Sequence, residues 1–283
     1  MLARVDRVQL AVHDRAHAAE AFRRLLEAVV IHEDAVAPLA ARRTTLAAGT
    51  SLIELLAPDG AGAVDAHLRR VGPGLFAAGF ATASTETLRA RLVARSLAFA
   101  EAGEQIVLAP EVLGDHGLRC VVSPLDERTP VGLVQHLYEV TNLVTDYGAA
   151  SAHYADVFGL DPARFCPIES GDFGYRGVLT MFDPATRLDR IECITPTDAT
   201  KTMGRFKARR GPCLYMCFME APDLRPIIAR LEEHARGDWS AAPGGAATDT
   251  LFIHPNALAG LLLGVSRTSV AWSWSGHPER VTR

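Results

Sequence analysis

No stretch of the 283-residue chain approaches the ~18–20 uninterrupted apolar residues that a membrane-spanning helix requires. The longest run near the C-terminus, Leu258 to Val265, is far too short. The opening residues Met1 to Arg7 carry Arg4, Asp6 and Arg7 and no apolar leader core, so no secretory leader is expected. Cysteine is sparse and odd in number: Cys120, Cys166, Cys193, Cys213 and Cys217, with no CxxC pair. Cys213 and Cys217 fall in a strand-like apolar run, where four positions span roughly 13 Å, too far to share one metal. A cytoplasmic chain with reduced thiols is expected. There is no excess of positive charge: 29 Lys and Arg against 33 Asp and Glu give a net charge of -4. Such a chain does not build the basic face that phosphate backbones demand, so neither nucleic acid nor an anionic membrane is an expected partner. The sequence also lacks GxGxxG, a Walker loop, HExxH and GxSxG.

What is present is globular: 48% hydrophobic and 22% charged residues. The length suits about two domains. The most informative feature is a duplication. Val12-His13-Asp14, followed by Ala18, Phe22, Leu25 and Leu26, matches Val144-Thr145-Asp146, followed by Ala150, Tyr154, Val157 and Phe158. Each copy reads as a strand, a turn with Asp at the N-cap, and an amphipathic helix. Ile53 to Pro58 then matches Ile191 to Pro196, and Gly72-Pro73-Gly74-Leu75-Phe76 matches Gly211-Pro212-Cys213-Leu214-Tyr215. Pro110, Leu113, Gly117 and Leu118 match Pro255, Leu258, Gly260 and Leu261. Ordered blocks at slowly growing offsets predict two homologous halves, 1–128 and 129–283.

Each half itself contains two similar units. In the first half, strand Val5 to Val12 precedes helix Ala16 to Ala28, and strands follow at Arg43 to Ala48 and Ser51 to Leu56. Strand Leu75 to Ala81 then precedes helix Thr85 to Ser96, with strands at Gln105 to Leu108 and Leu118 to Ser123. Strands interleaved with single helices predict an α+β architecture.

These residues resemble the vicinal oxygen chelate superfamily, which includes glyoxalase I, bleomycin-resistance proteins, extradiol dioxygenases and methylmalonyl-CoA epimerase. The resemblance rests on Val5 to Asp14, Leu52 to Pro58, Glu139 to Asp146 and the approach His254-Pro255-Asn256. It implies four βαβββ modules paired into two tandem glyoxalase-like domains, each curling into an open cup. It also implies a divalent metal held by first-strand His or Gln and last-strand Glu, chelating two substrate oxygens. This chain departs from that pattern. The first-strand positions fall on Arg7, Ala77, Glu139 and Met216, and the last-strand positions on Glu54, Val121, Glu192 and Gly264. Arginine does not ligate metals. The expectation is therefore no cofactor, with a divalent ion conceivable only at Glu139 and Glu192, where Mg²⁺ or Mn²⁺ would accept oxygen donors.

Arg7 and Glu54 are expected to pair inside the first cup, either as a structural replacement for a metal or as an anchor for a substrate carboxylate. Glu139 and Glu192 are expected on neighbouring strands facing one cavity. Two close carboxyls raise one pKa and suit acid/base work, unless Arg176, Arg187 or Arg190 neutralises them. Tyr215, Tyr175 and Asn142 are candidates to orient substrate oxygens in the second cup. His136 is a further candidate for substrate binding; it stands three residues before Glu139, an odd offset that sets it on the other strand face unless a bulge intervenes. Trp272 and Trp274, two apart, would share one face of an extended tail, either covering a cup mouth or closing the core.

The leading expectation is an enzyme acting on a small oxygenated molecule by a lyase or isomerase step, with Glu139, Glu192 and Tyr215 catalytic and the working pocket in the second half. The first alternative is a metal-free binding protein of the resistance type. The second is an extradiol-type dioxygenase with relocated ligands, recruiting His136 or His254. A homodimer is a further candidate assembly.

Overall fold

The computed structural model describes residues 1–184 and 186–282. The first sheet holds β1 (Leu2–Ala11), β2 (Val29–Val36), β3 (Ala41–Ala48), β4 (Ser51–Pro58), β5 (Gly74–Thr82), β6 (Ala100–Ala102), β7 (Gln105–Leu108) and β8 (Cys120–Pro124). The second holds β9 (His136–Leu143), β10 (Cys166–Ser170), β11 (Tyr175–Met181), β12 (Arg190–Pro196), β13 (Cys213–Ala221), β14 (Trp239–Ala241), β15 (Thr250–Ile253) and β16 (Leu263–Arg267). The strand orders are β2-β3-β4-β1-β5-β8-β7-β6 and β10-β11-β12-β9-β13-β16-β15-β14, so the two sheets share one topology. Each is two βαβββ modules joined through a central antiparallel pair, β1 with β5 and β9 with β13. The module helices are α1 (Arg15–Leu26), α3 (Thr85–Ala94), α4 (Tyr147–Phe158) and α6 (Arg225–His234). Two further helices, α2 (Ala63–Val71) and α5 (Thr202–Arg210), link the modules within each half.

The repeated Asp begins its helix as the sequence predicts. Asp14 accepts from the His17 N–H at 2.9 Å, and Asp146 from the Ala149 N–H at 3.0 Å. Phe22, Leu25 and Leu26 of α1 and their counterparts Tyr154, Val157 and Phe158 of α4 are buried. They join one apolar core that runs through both halves.

The halves meet as a pseudo-symmetric pair. Gly260 stands against Pro73, and its repeat equivalent Gly117 stands against Pro212. Both glycines have positive φ, +93° and +81°, and a Cβ on either would lie 2.3 or 2.2 Å from partner backbone. Only glycine fits this approach. Across the same junction, the Val5 N–H donates to Asp189 at 2.7 Å and the Leu137 N–H to Ser51 at 2.8 Å.

The C-terminal tail departs from the extended form expected of it. Val270–Trp274 is a 3₁₀ turn, so a spacing of two does not align the tryptophans. Trp272 is buried beneath Arg280, whereas Trp274 reaches the second cup. None of the helices described is long and apolar enough to cross a membrane.

Candidate active site

The second cup encloses a cavity of about 1170 Å³. Two neighbouring strands build its floor. In the parallel pairing of β12 with β9, Arg190 stands opposite Glu139 and Glu192 opposite Thr141. Residues two apart on a strand share a face, so these four side chains form a square. Arg190 Nε donates to Glu139 Oε2 at 2.7 Å, and Thr141 Oγ1 donates to Glu192 Oε2 at 2.5 Å. Arg190 is fully buried, its guanidinium 4.9 Å from the centre of the Tyr138 ring. It also donates to the Leu188 carbonyl at 3.2 Å.

Two acids lie near one arginine here. Burial pushes the Glu192 carboxyl up to about 8, and the charge of Glu139 adds to the rise against the opposing Thr141 and Arg190. Two acids this close cannot both ionise cheaply, which favours a proton held on Glu192. The site thus carries a protonated acid beside a carboxylate paired with arginine at neutral pH. Tyr175 and Tyr215 also face the cavity. Burial raises both phenols, with the Glu192 and Glu139 charges contributing at Tyr175, so both remain O–H donors.

Glu139, Glu192, Tyr175 and Tyr215 are therefore brought together. The other four candidates are not. Asn142 lies one strand position past Thr141 and so faces the helical side. Its amide donates to the His116 and Cys213 carbonyls, both at 3.1 Å, and accepts from the Tyr154 hydroxyl at 2.7 Å. Fully buried there, Asn142 does not line the cavity. His136 lies at the junction of the halves, with Nε2 3.5 Å from Glu220. Burial, then the Arg187 and Arg4 charges, depresses His136 to about 4.

Arg7 and Glu54 do pair, at 2.7 Å, but in a closed network. Glu54 also accepts from Gln9 at 2.7 Å, Gln105 at 3.0 Å and Arg43 at 3.2 Å. Arg7 also holds Asp6 at 2.6 Å, and Arg128 holds the other oxygen of Asp6 at 2.7 Å. Val64 and Leu68 of α2 pack into an apolar cluster with Leu56 and Phe76 that closes this cup. Arg7 and Glu54 are both buried within this network, so a substrate anchor there has no access.

Several site residues escaped the sequence reading. Thr141 stands two residues from Glu139, and strand alternation alone pointed to it; of the three arginines expected as neutralisers, Arg190 is the one that pairs with Glu139. The α5 wall, with Met203 and Phe206 facing the cavity and Lys201, Arg205 and Arg210 beside them, went unread in the sequence. Phe218, Phe252 and Trp274 complete the apolar lining. His254 stands at the edge, 3.1 Å from Ser240 Oγ.

This is the tandem βαβββ architecture that the sequence resemblance implied. No family model matches the sequence and no curated protein matches it. Among solved structures, the fold is similar to that of a triple mutant of 4-hydroxymandelate synthase from Streptomyces coelicolor. The TM-score is 0.71 at 15% identity, covering 99% of both chains. Methylmalonyl-CoA epimerase from Mycobacterium tuberculosis matches at 25% identity and a TM-score of 0.41, covering 48% of this chain and 89% of its own. The Streptomyces coelicolor epimerase in complex with 2-nitronate-propionyl-CoA matches at 22% and 0.40, covering 45% and 99%.

The expectation of no cofactor, with a divalent ion only at Glu139 and Glu192, is corrected on two counts. The full-length likeness is to a 4-hydroxymandelate synthase, so working without a cofactor does not follow from this fold. And Glu139 and Glu192 are not a free carboxylate pair. Arg190 occupies Glu139, and a cation there would face a buried guanidinium. The remaining two family positions offer Met216 and Gly264, the latter covered by the Phe218 ring. Among the described residues no group of three or more His, Cys, Asp or Glu is arranged to hold a metal. The donor set does not fit the ion that this fold implies.

Proposed function

We propose that this chain is an enzyme that moves a proton on a small oxygenated organic molecule bound in the second cup, in an isomerase- or lyase-type step. The observation that carries the reading is the Glu139–Glu192 pair, a carboxylate and a protonated acid at one cavity floor. Glu139 takes a proton from a carbon next to a carbonyl. The electron pair moves onto the carbonyl oxygen, where the Tyr175 and Tyr215 hydroxyls donate hydrogen bonds to the growing negative charge. Glu192 returns a proton to the resulting enolate, and Arg190 and Thr141 hold the two carboxyls in place. A pair of acids pushed to different protonation states divides acid and base roles in this way.

The test is deuterium exchange. Small 2-oxo acids, aryl ketones and acyl thioesters are incubated with the protein in D₂O, and loss of the C–H resonance is followed by NMR. Exchange is expected on at least one of these classes, falling by about 10²-fold or more in both Glu139→Gln and Glu192→Gln. Exchange that neither substitution alters, or no exchange on any class, would overturn the reading.

A further inference from the structure

We infer that the ligand of the second cup is an amphipathic anion: a flat apolar body seated among the aromatic side chains, with a carboxylate or phosphate held at the α5 wall. The inference rests on the proposed function only for its site and adds the chemical class of what enters it.

Size and lining fix the apolar part. About 1170 Å³ exceeds the usual range of ~300–1,000 Å³ for small-molecule sites, so the cavity admits more than a single ring. Phe206 meets Tyr215 edge-to-face at 5.0 Å, Phe252 meets Phe218 at 5.7 Å, and Phe218 meets Trp274 at 6.4 Å. All five rings line the cavity, presenting π-faces and edges to a planar guest.

Charge fixes the other end. Lys201, Arg205 and Arg210 line the same cavity along α5. Each donates to a backbone carbonyl, of Gly171, Thr200 and Val71 respectively. Arg210 also stacks on Phe206 at 4.6 Å. Among the described residues none of the three has a carboxylate within salt-bridge distance, although most arginines elsewhere in the chain do. Arg209 and Arg70 face Arg210 and repel it further. Glu169 and Asp172 also line the cavity, but Glu169 is 3.5 Å from Arg176. Arg205 also donates to Thr202 Oγ1 at 3.4 Å, and the Asp198 charge acts on Lys201 without forming an ion pair. A cluster of like charges at a cavity wall without a paired carboxylate is completed by an anion from outside. Carboxylate and phosphate share that chemistry.

The experiment compares two fluorescent probes on the whole protein. 1-Anilinonaphthalene-8-sulfonate has an aromatic body with an anionic group, and N-phenyl-1-naphthylamine has the same body without it. The anionic probe is expected to bind about tenfold more tightly, as a few partly exposed charges allow. Energy transfer from Trp274, lost in Trp274→Phe, places it in this cup. Lys201→Gln/Arg205→Gln/Arg210→Gln is expected to bring the two affinities within about threefold while leaving the neutral probe unchanged. The single exposed change Arg205→Glu gives the same direction should the triple variant fold poorly. Competition by 1-naphthoate against 1-naphthyl phosphate distinguishes the two acid groups. Equal affinity for both probes in the parent protein, or an unchanged ratio in the variants, would overturn the inference. The probes report no turnover, so this failure is separate from failure of the proton-transfer reading. Exchange lost in Glu192→Gln with equal probe affinities would reject only the ligand class.

Discussion

The two cups have one topology and opposite contents. In the first, one carboxylate, Glu54, receives Arg7, Arg43, Gln9 and Gln105, and every charge is answered. In the second, Arg190 pairs with Glu139 alone, and Glu192, held by Thr141, is raised towards keeping its proton. The linker helices differ in the same sense. Leu68 of α2 is buried in the first cup, and its repeat equivalent on α5 is Lys207. Val71 is likewise replaced by Arg210. The same scaffold is thus a closed structural unit where its carboxylate is fully paired and its linker buries Leu68. It is an open pocket where neither holds. Frustrated electrostatics and empty volume occur together in one half only, which is why the chemistry is assigned there.

The largest expected effect breaks the balance of the first cup. Glu54→Ala removes the acceptor of four buried donors. Leaving one side of a buried ion pair unanswered costs roughly 3–5 kcal/mol. The low end, about 3 kcal/mol, applies here because Arg7 keeps Asp6 and Arg43 keeps Asp34. Urea unfolding of the variant is expected to show this loss, while affinity of the folded protein for the aromatic probes stays within about twofold. A loss below about 1 kcal/mol would mean that the first network is not structural.

How far this contrast was legible in the sequence depends on which signal carried it. The duplication predicted two sheets of equal topology because core positions and N-caps recur at fixed offsets. Glu139 and Glu192 were legible because both sit on strongly apolar strands, where a charge needs a reason. Strand β2 was missed: seven of its eight residues are exposed or half-exposed, so no alternation marks it. Asn142 was misassigned although its odd spacing from Glu139 places it on the far face, and a register shift between His136 and Glu139 removes that parity rule for His136. The 3₁₀ turn at Trp272 and Trp274 left no trace in a spacing that also suits a strand. Helices α2 and α5 went unread because each is nine residues long and wedged between modules. Volume was illegible altogether, since it depends on how far α5 stands from the sheet.

A second prediction uses the repeat equivalent of Glu54, with the opposite sign. Glu192 is raised to about 8 when folded, from an ordinary value near 4.5. Between those values the folded chain holds a proton that the unfolded chain has released, so stability falls as pH rises from about 4.5 to 8. The groups facing it are Glu139, Arg190, Thr141 and Tyr175. Glu192→Gln keeps the shape and removes the titration. It is expected to be more stable than the parent by on the order of 2 kcal/mol at pH 8.5, and no more stable at pH 4. Thermal melts across this range check it. A gain equal at both pH values would mean that the proton is not shared at this floor.

The smallest effect concerns one ring pair present in both halves. His67 on α2 meets Phe76 at 5.5 Å, and at the repeat-equivalent positions Phe206 on α5 meets Tyr215 at 5.0 Å. The first pair is the poorer version. His67 Nε2 is buried without a hydrogen-bond partner. Burial, then the Arg210, Arg70 and Arg119 charges, depresses the imidazole to about 4. A group depressed in this way costs stability as pH falls from about 6.5 towards 4, because the unfolded chain takes up a proton that the folded one refuses. His67→Phe makes the first pair like the second and removes an unsatisfied nitrogen. It is expected to stabilise by about 1 kcal/mol at neutral pH and by more at pH 5. Phe206→His moves the second pair the other way. It is expected to lower stability by about 1 kcal/mol and weaken the anionic probe less than the neutral one, because its loss falls on the apolar wall and not on α5's charges. Opposite signs at two equivalent positions would locate the difference between the cups in what lines them, since the backbone is the same.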